Sequence, residues 1–68
     1  MRYMLITVID RELSTKICYT FDEAYKKMVD EVNYYADDED DEYEINKKSA
    51  WANVDNGETN CDWWIVEI

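Results

Sequence analysis

Polar and apolar positions change period three times along this chain. Tyr3-Met4-Leu5-Ile6-Thr7-Val8-Ile9 is almost wholly apolar and rich in β-branched residues, the pattern of a strand with little solvent contact. Asp10-Arg11-Glu12 interrupts it, and Leu13 to Tyr19 alternates well enough to return as the second arm of an antiparallel hairpin. From Phe21 the spacing becomes three-four: Phe21, Ala24, Tyr25, Met28, Val29, Val32 and Tyr35 form one helical stripe able to dock on a sheet. Thr20 and Glu23 have capping-box spacing, so the helix is expected to begin at Phe21. It is expected to end near Ala36, because carboxylates follow and acids at a helix C-terminus oppose the macrodipole.

Alternation resumes at Tyr43-Glu44-Ile45, and Ser49-Ala50-Trp51-Ala52-Asn53-Val54 reads as a third strand or an extended approach to one. Asp55-Asn56-Gly57 is a turn signal holding the only glycine, where a positive φ is expected. Cys61 to Ile68 supplies the last strand. The expected fold is α+β in the order ββαββ, a four-stranded, mostly antiparallel sheet with one amphipathic helix on one face. Its 68 residues make one small domain, 1–68, with no linker composition or internal repeat.

One helix covers one sheet face, and the last strand is apolar on both. Trp63 and Ile65 point one way, Trp64, Val66 and Ile68 the other. Alternation alone leaves open which tryptophan is outward. The outward set is expected to meet a loop, a second copy of the chain through this C-terminal strand, or a partner, since tryptophan is enriched at binding hot spots.

Composition changes the picture through charge. The chain is 47% hydrophobic and 15% aromatic, too apolar for a disordered acidic tail, yet its formal net charge is -10. Six consecutive carboxylates, Asp37, Asp38, Glu39, Asp40, Asp41 and Glu42, contribute most visibly. The polar helix face carries Asp22, Glu23, Lys26, Lys27, Asp30 and Glu31, with Asp22/Lys26 and Glu23/Lys27 in the favourable acid-first order. An extended acidic run advances roughly 3.3 Å per residue, near the roughly 3.4 Å between phosphates on one DNA strand. Asp37 to Glu42, extended by Asp30 and Glu31, would then compete for a Lys/Arg groove that binds phosphate and would itself repel nucleic acid. The partner this implies is a basic protein surface, neither nucleic acid nor membrane.

Catalytic chemistry finds little to work with. There is no His, and no Ser or Cys lies in a motif that replaces it, so no enzymatic activity is expected. Cys18 and Cys61 without His do not make a zinc site. The contiguous, glycine-free run lacks the alternating ligands of a calcium loop, so neither a metal nor another cofactor is expected. Tyr3 to Ile9 reads as a strand rather than a signal peptide or span, which suggests a cytoplasmic protein with reduced, buried thiols.

In size, acidity and lack of catalytic residues, the chain resembles the short inhibitors carried by phages and mobile elements, including anti-CRISPR proteins that mimic nucleic acid. The stretch from Tyr43-Glu44-Ile45 through Ser49-Ala50-Trp51-Ala52-Asn53 to Cys61-Asp62-Trp63 is also similar to short uncharacterised bacterial proteins, which implies no function. The first resemblance implies an inhibitor occupying the nucleic-acid channel of a defence effector. An antitoxin or immunity protein against a basic nuclease would use the same electrostatics. A self-associating structural protein kept soluble by its acids is the reading from a different class.

Overall fold

The computed structural model describes residues 2–68. Its elements are β1 (Tyr3–Ile9), β2 (Glu12–Cys18), α1 (Phe21–Tyr35), β3 (Glu42–Ile45), β4 (Ser49–Val54) and β5 (Thr59–Glu67). The α+β class and single helix match the expectation, but the sheet has five strands in the order β2-β1-β5-β4-β3, every adjacent pair antiparallel. The order of elements is therefore ββαβββ. The added strand is Glu42-Tyr43-Glu44-Ile45, which pairs from Glu42↔Asn53 to Ile45↔Ala50.

Local chemistry explains the turns. β1 and β2 are joined by Asp10 and Arg11, both at positive φ (49° and 73°), the left-handed pair that matches the twist of a two-residue hairpin. Asp10 is also tied to β5, because its N–H donates to the Asn60 carbonyl at 3.0 Å. Between β4 and β5, Asp55, Asn56 and Gly57 are all left-handed, with φ of 87° at the glycine. A Cβ on Gly57 would meet Asn53 Oδ1 at 3.2 Å, so both conformation and space favour glycine there.

The helix starts and stops where its sequence directs. The Glu23 N–H donates to Thr20 Oγ1 at 3.1 Å, while Glu23 Oε2 accepts from the N–H of Tyr19, one residue before the cap. Ala36 ends it, its N–H still reaching the Val32 carbonyl. Ala24, Met28 and Val32 are fully buried against the sheet, with Phe21 and Tyr35 half-buried at either end of the stripe. Of the two expected ion pairs on the helix, only Lys27–Glu23 forms, at 3.8 Å.

The core lies between α1 and one face of the sheet. Leu5, Cys18, Cys61, Trp63 and Ile65 are buried there beneath the helix stripe. Ala50 sits directly across from Trp63 and Ala52 across from Cys61, so two small residues on β4 make room for the indole and the helix above it. Cys18 faces Tyr3 at one end of β1 and Cys61 faces Ile9 at the other. That separation of six residues, about 20 Å along a strand, keeps the two thiols apart. Both are buried and free.

Candidate functional site: an acidic pole and an open aromatic face

Antiparallel pairing gathers carboxylates at one end of the sheet. Ile9 pairs with Cys61, Val54 with Thr59 and Glu42 with Asn53, so the β1–β2 turn, the β4–β5 turn and the segment entering β3 share that end. Asp37, Asp38, Asp40 and Asp41 line one polar depression of about 210 Å³ together with Asp55 and Asn56. Asp10 and Glu58, with Asp62 and Arg11, line a second one of about 400 Å³ on the sheet face opposite the helix. With Asp10, Glu58, Glu12, Glu39 and Glu42, and leaving Asp62 and Glu44 to the next cross-strand row on the open face, this end holds ten carboxylates against Arg11 alone, a side-chain charge of -9. The other seven acids and six bases nearly cancel, so almost the whole net charge of the protein resides at this pole.

The acidic run is not extended. The Asp41 N–H donates to the Asp38 carbonyl at 3.0 Å, closing a turn. Asp41 Oδ2 accepts from the Asp38 N–H at 3.2 Å, and Asp38 Oδ1 from the Asp40 N–H at 3.3 Å. Short acidic side chains that satisfy nearby backbone donors favour such turns over a strand. The expected phosphate-like rise along the run is thereby corrected: the carboxylates cluster around a turn, and their neighbours in space come from the β4–β5 turn.

Trp63 offers no surface for contact, and Glu31 is engaged within the protein. Trp63 has no exposed surface and lies at the centre of the core, its ring 6.3 Å from that of Tyr35. Glu31 lies at the edge of the buried stripe rather than on the outer helix face. Its Oε1 accepts from Trp63 Nε1 and from Thr7 Oγ1, each at 3.3 Å, and its Oε2 pairs with Lys16 at 3.3 Å. It is the acceptor that lets an indole N–H and a buried threonine hydroxyl be covered by a helix. Asp30 stays exposed on the helix, and Asp37 to Glu42 are exposed except for a half-buried Asp41.

Trp64 is the outward tryptophan, 44% exposed. The face opposite the helix carries Met4, Ile6 and Val8 of β1, Leu13 and Ile17 of β2, Trp64 and Val66 of β5, and Trp51 of β4. Leu13 is 67% exposed and Trp51 37%. Asp62 lies among them, directly across from Trp51 and two residues before Trp64. The sequence pattern drew attention to Trp64 but not to Trp51, Leu13, Ile17 or Asp62. The signal for Trp51 was its position between Ala50 and Ala52: where the two small residues face the core, the large one faces out.

Two further observations bound the chemistry. Burial pushes the Cys61 thiol pKa up, and the charges of Asp10, Asp62 and Asp55 push it further, which keeps the thiol protonated and unreactive. Among the described residues no three acids or cysteines converge as they would around a metal ion, and no helix is long and apolar enough to cross a membrane. No protein-family model matches this chain, and no curated protein or solved structure matches it either.

Proposed function

We propose that this chain is a non-enzymatic acidic binding protein that occupies the basic, nucleic-acid-binding surface of another protein, in the manner of the anti-CRISPR-type inhibitors it resembles. The concentration of almost the entire net charge at one pole carries this reading. Charge spread evenly over a surface mainly confers solubility. Charge gathered at one end of a folded scaffold produces a directed field that steers the molecule, pole first, toward Lys/Arg clusters and competes there with phosphate. Because the run is folded into a turn, the mimicry is of a compact cluster of phosphates rather than of one extended strand.

The test is a matched capture experiment using the wild-type chain and a variant in which Asp37, Asp38, Asp40 and Asp41 are replaced by Asn. Asn keeps the oxygen acceptors at positions 38 and 41 that close the turn, so the fold is retained while four charges are removed. The expected result is one stoichiometric partner that is held by the wild type, is lost from the variant, and is displaced by duplex DNA or RNA and by salt. A partner held equally by both chains, and indifferent to nucleic acid, would contradict the proposal.

A further inference from the structure

The open sheet face has a composition that neither the acidic pole nor the core requires. Four strands spaced about 4.8 Å apart and some six residues long enclose an outline on the order of 400 Å², already within the size of the largest apolar patch on a typical monomer. Within it, Trp51, Asp62 and Trp64 form a triangle, since Asp62 is the cross-strand partner of Trp51 and shares β5 and its outward parity with Trp64. Trp51 is held in place, its indole N–H donating to Glu44 Oε2 at 3.1 Å. Asp62 is half-buried and has no hydrogen-bond or ion-pair partner among the described residues. Arg11 lines the depression on one side of it without pairing to it, and a second open depression of about 350 Å³, lined by Trp51, Asn53 and Asn60, adjoins it on the other.

Charge decides what fits. The strand positions on this face include Glu42, Glu44 and Asp62 but no Lys or Arg. In a two-fold dimer built on this face the same patch would meet itself, setting Glu42, Glu44 and Asp62 of each copy against their own kind, with only Arg2 and Arg11 at the ends of β1 as cations. An anionic lipid or nucleic acid would meet the same carboxylates unfavourably. A guanidinium suits the site in every respect: it is planar, weakly hydrated, stacks on indole faces and forks onto a carboxylate.

We infer that the open face docks a partner protein through an arginine side chain that packs between Trp51 and Trp64 and pairs with Asp62, while Met4, Ile6, Val8, Leu13 and Ile17 receive the apolar surface around it. This rests on the reading of the chain as a binder of basic proteins, but it assigns the contact to a different surface from the acidic pole. The pole steers, and this face recognises.

The experiment is an amide and indole NMR titration of the full chain with the blocked peptide Gly-Leu-Arg-Leu-Gly and its lysine and citrulline counterparts, alongside sedimentation of the free protein. The arginine peptide is expected to shift the Trp51 and Trp64 indole N–H signals and the Asp62 amide at about millimolar concentration. The lysine peptide should bind roughly three- to tenfold more weakly and the citrulline peptide more weakly still. Asp62→Asn, which preserves shape, should remove most of the preference, as should Trp64→Leu, which keeps apolar bulk without a stacking face. Three peptides of equal affinity would overturn the inference. So would shifts confined to residues 37–42 and 55–58, which would leave the pole as the contact. A dimer that Trp64→Leu dissociates would also overturn it, by making a second copy the occupant. Shifts that persist at Trp51 and Trp64 in the chain with Asn at positions 37, 38, 40 and 41 support the dock even where the pole reading fails; shifts that vanish there overturn it.

Discussion

Arg11 occupies the second position of the β1–β2 turn at φ 73°, a left-handed conformation that costs a residue with a Cβ roughly 1–2 kcal/mol. Glycine adopts it freely but is more flexible in the unfolded chain, so part of the gain is returned. At about 0.5 M salt, where the loss of the pole's one cation is screened, Arg11→Gly is therefore expected to stabilise the protein by about 0.5–1 kcal/mol, read as a higher urea midpoint with an unchanged slope. A lower midpoint would mean that the arginine side chain contributes more than its backbone costs. Cys61 makes a second prediction at this scale. Its thiol pKa is raised in the folded state, by burial first and by Asp10, Asp62 and Asp55 after. The unfolded thiol therefore ionises first, so the stability linked to protonated Cys61 is complete below the ordinary thiol range near 8.5 and is lost as pH climbs through the raised native value. Urea unfolding at about pH 7 and 9.5 should show the wild type losing more stability on alkalinisation than Cys61→Ala. Parallel losses in the two proteins would remove Cys61 as the cause.

At the scale of elements, β5 is the strand on which everything else is assembled, since it joins the β1–β2 hairpin to β4 and carries both adjacent tryptophans. Trp63→Ala empties the centre of the core and strands the Glu31 acceptor, at a cost of about 3–5 kcal/mol, comparable to the full stability of a domain this small. Trp64→Ala removes a side chain that is 44% exposed and is expected to cost about 1 kcal/mol. Denaturant titration of the two variants checks the difference, and equal losses would mean that the open face is packed like a core. The apolar alternation of the last strand left that parity open, and the structure resolves it in the direction that keeps Asp62, which shares an alternation with Trp64, out from under the helix. The hairpin, the capped helix and the Gly57 turn were legible, because their signals are local. β3 was not, since its four residues include two exposed glutamates and its only pairing is to β4. The position of Glu31 was obscured by its setting, three residues from Met28 and next to Val32, at the boundary of the helical stripe where a wheel assigns neither face. The pairing of β1 with β5 brings together opposite ends of the chain and leaves no local trace in either strand.

For the whole molecule, that same long-range pairing creates the pole. Asp10, Glu12, Asp55 and Glu58 are scattered along the sequence, and only the strand order brings them to the same end of the sheet as the run from Asp37 to Glu42, with Asp55 in direct company with it. Ten carboxylates with one arginine at one end of a body 38 Å long work against the compact state, because like charges held together by the fold separate when the chain unfolds. Salt screens charges over roughly 8–10 Å near physiological ionic strength, shorter than the molecule but longer than the spacing of neighbouring carboxylates in the run. The melting temperature should therefore rise by a few degrees as sodium chloride is increased from about 0.01 to 0.5 M, where the Debye length shrinks from about 30 Å to a few ångströms. Replacing Asp37, Asp38, Asp40 and Asp41 by Asn should raise the low-salt melting temperature and flatten the salt response together, since both follow from the same repulsion. If the salt response were unchanged in that variant, the repulsion would have to arise outside the run. Asp10, Glu58 and Asp62, beside the aromatic face, would then be the next residues to neutralise, and the division between a steering pole and a recognising face would no longer hold.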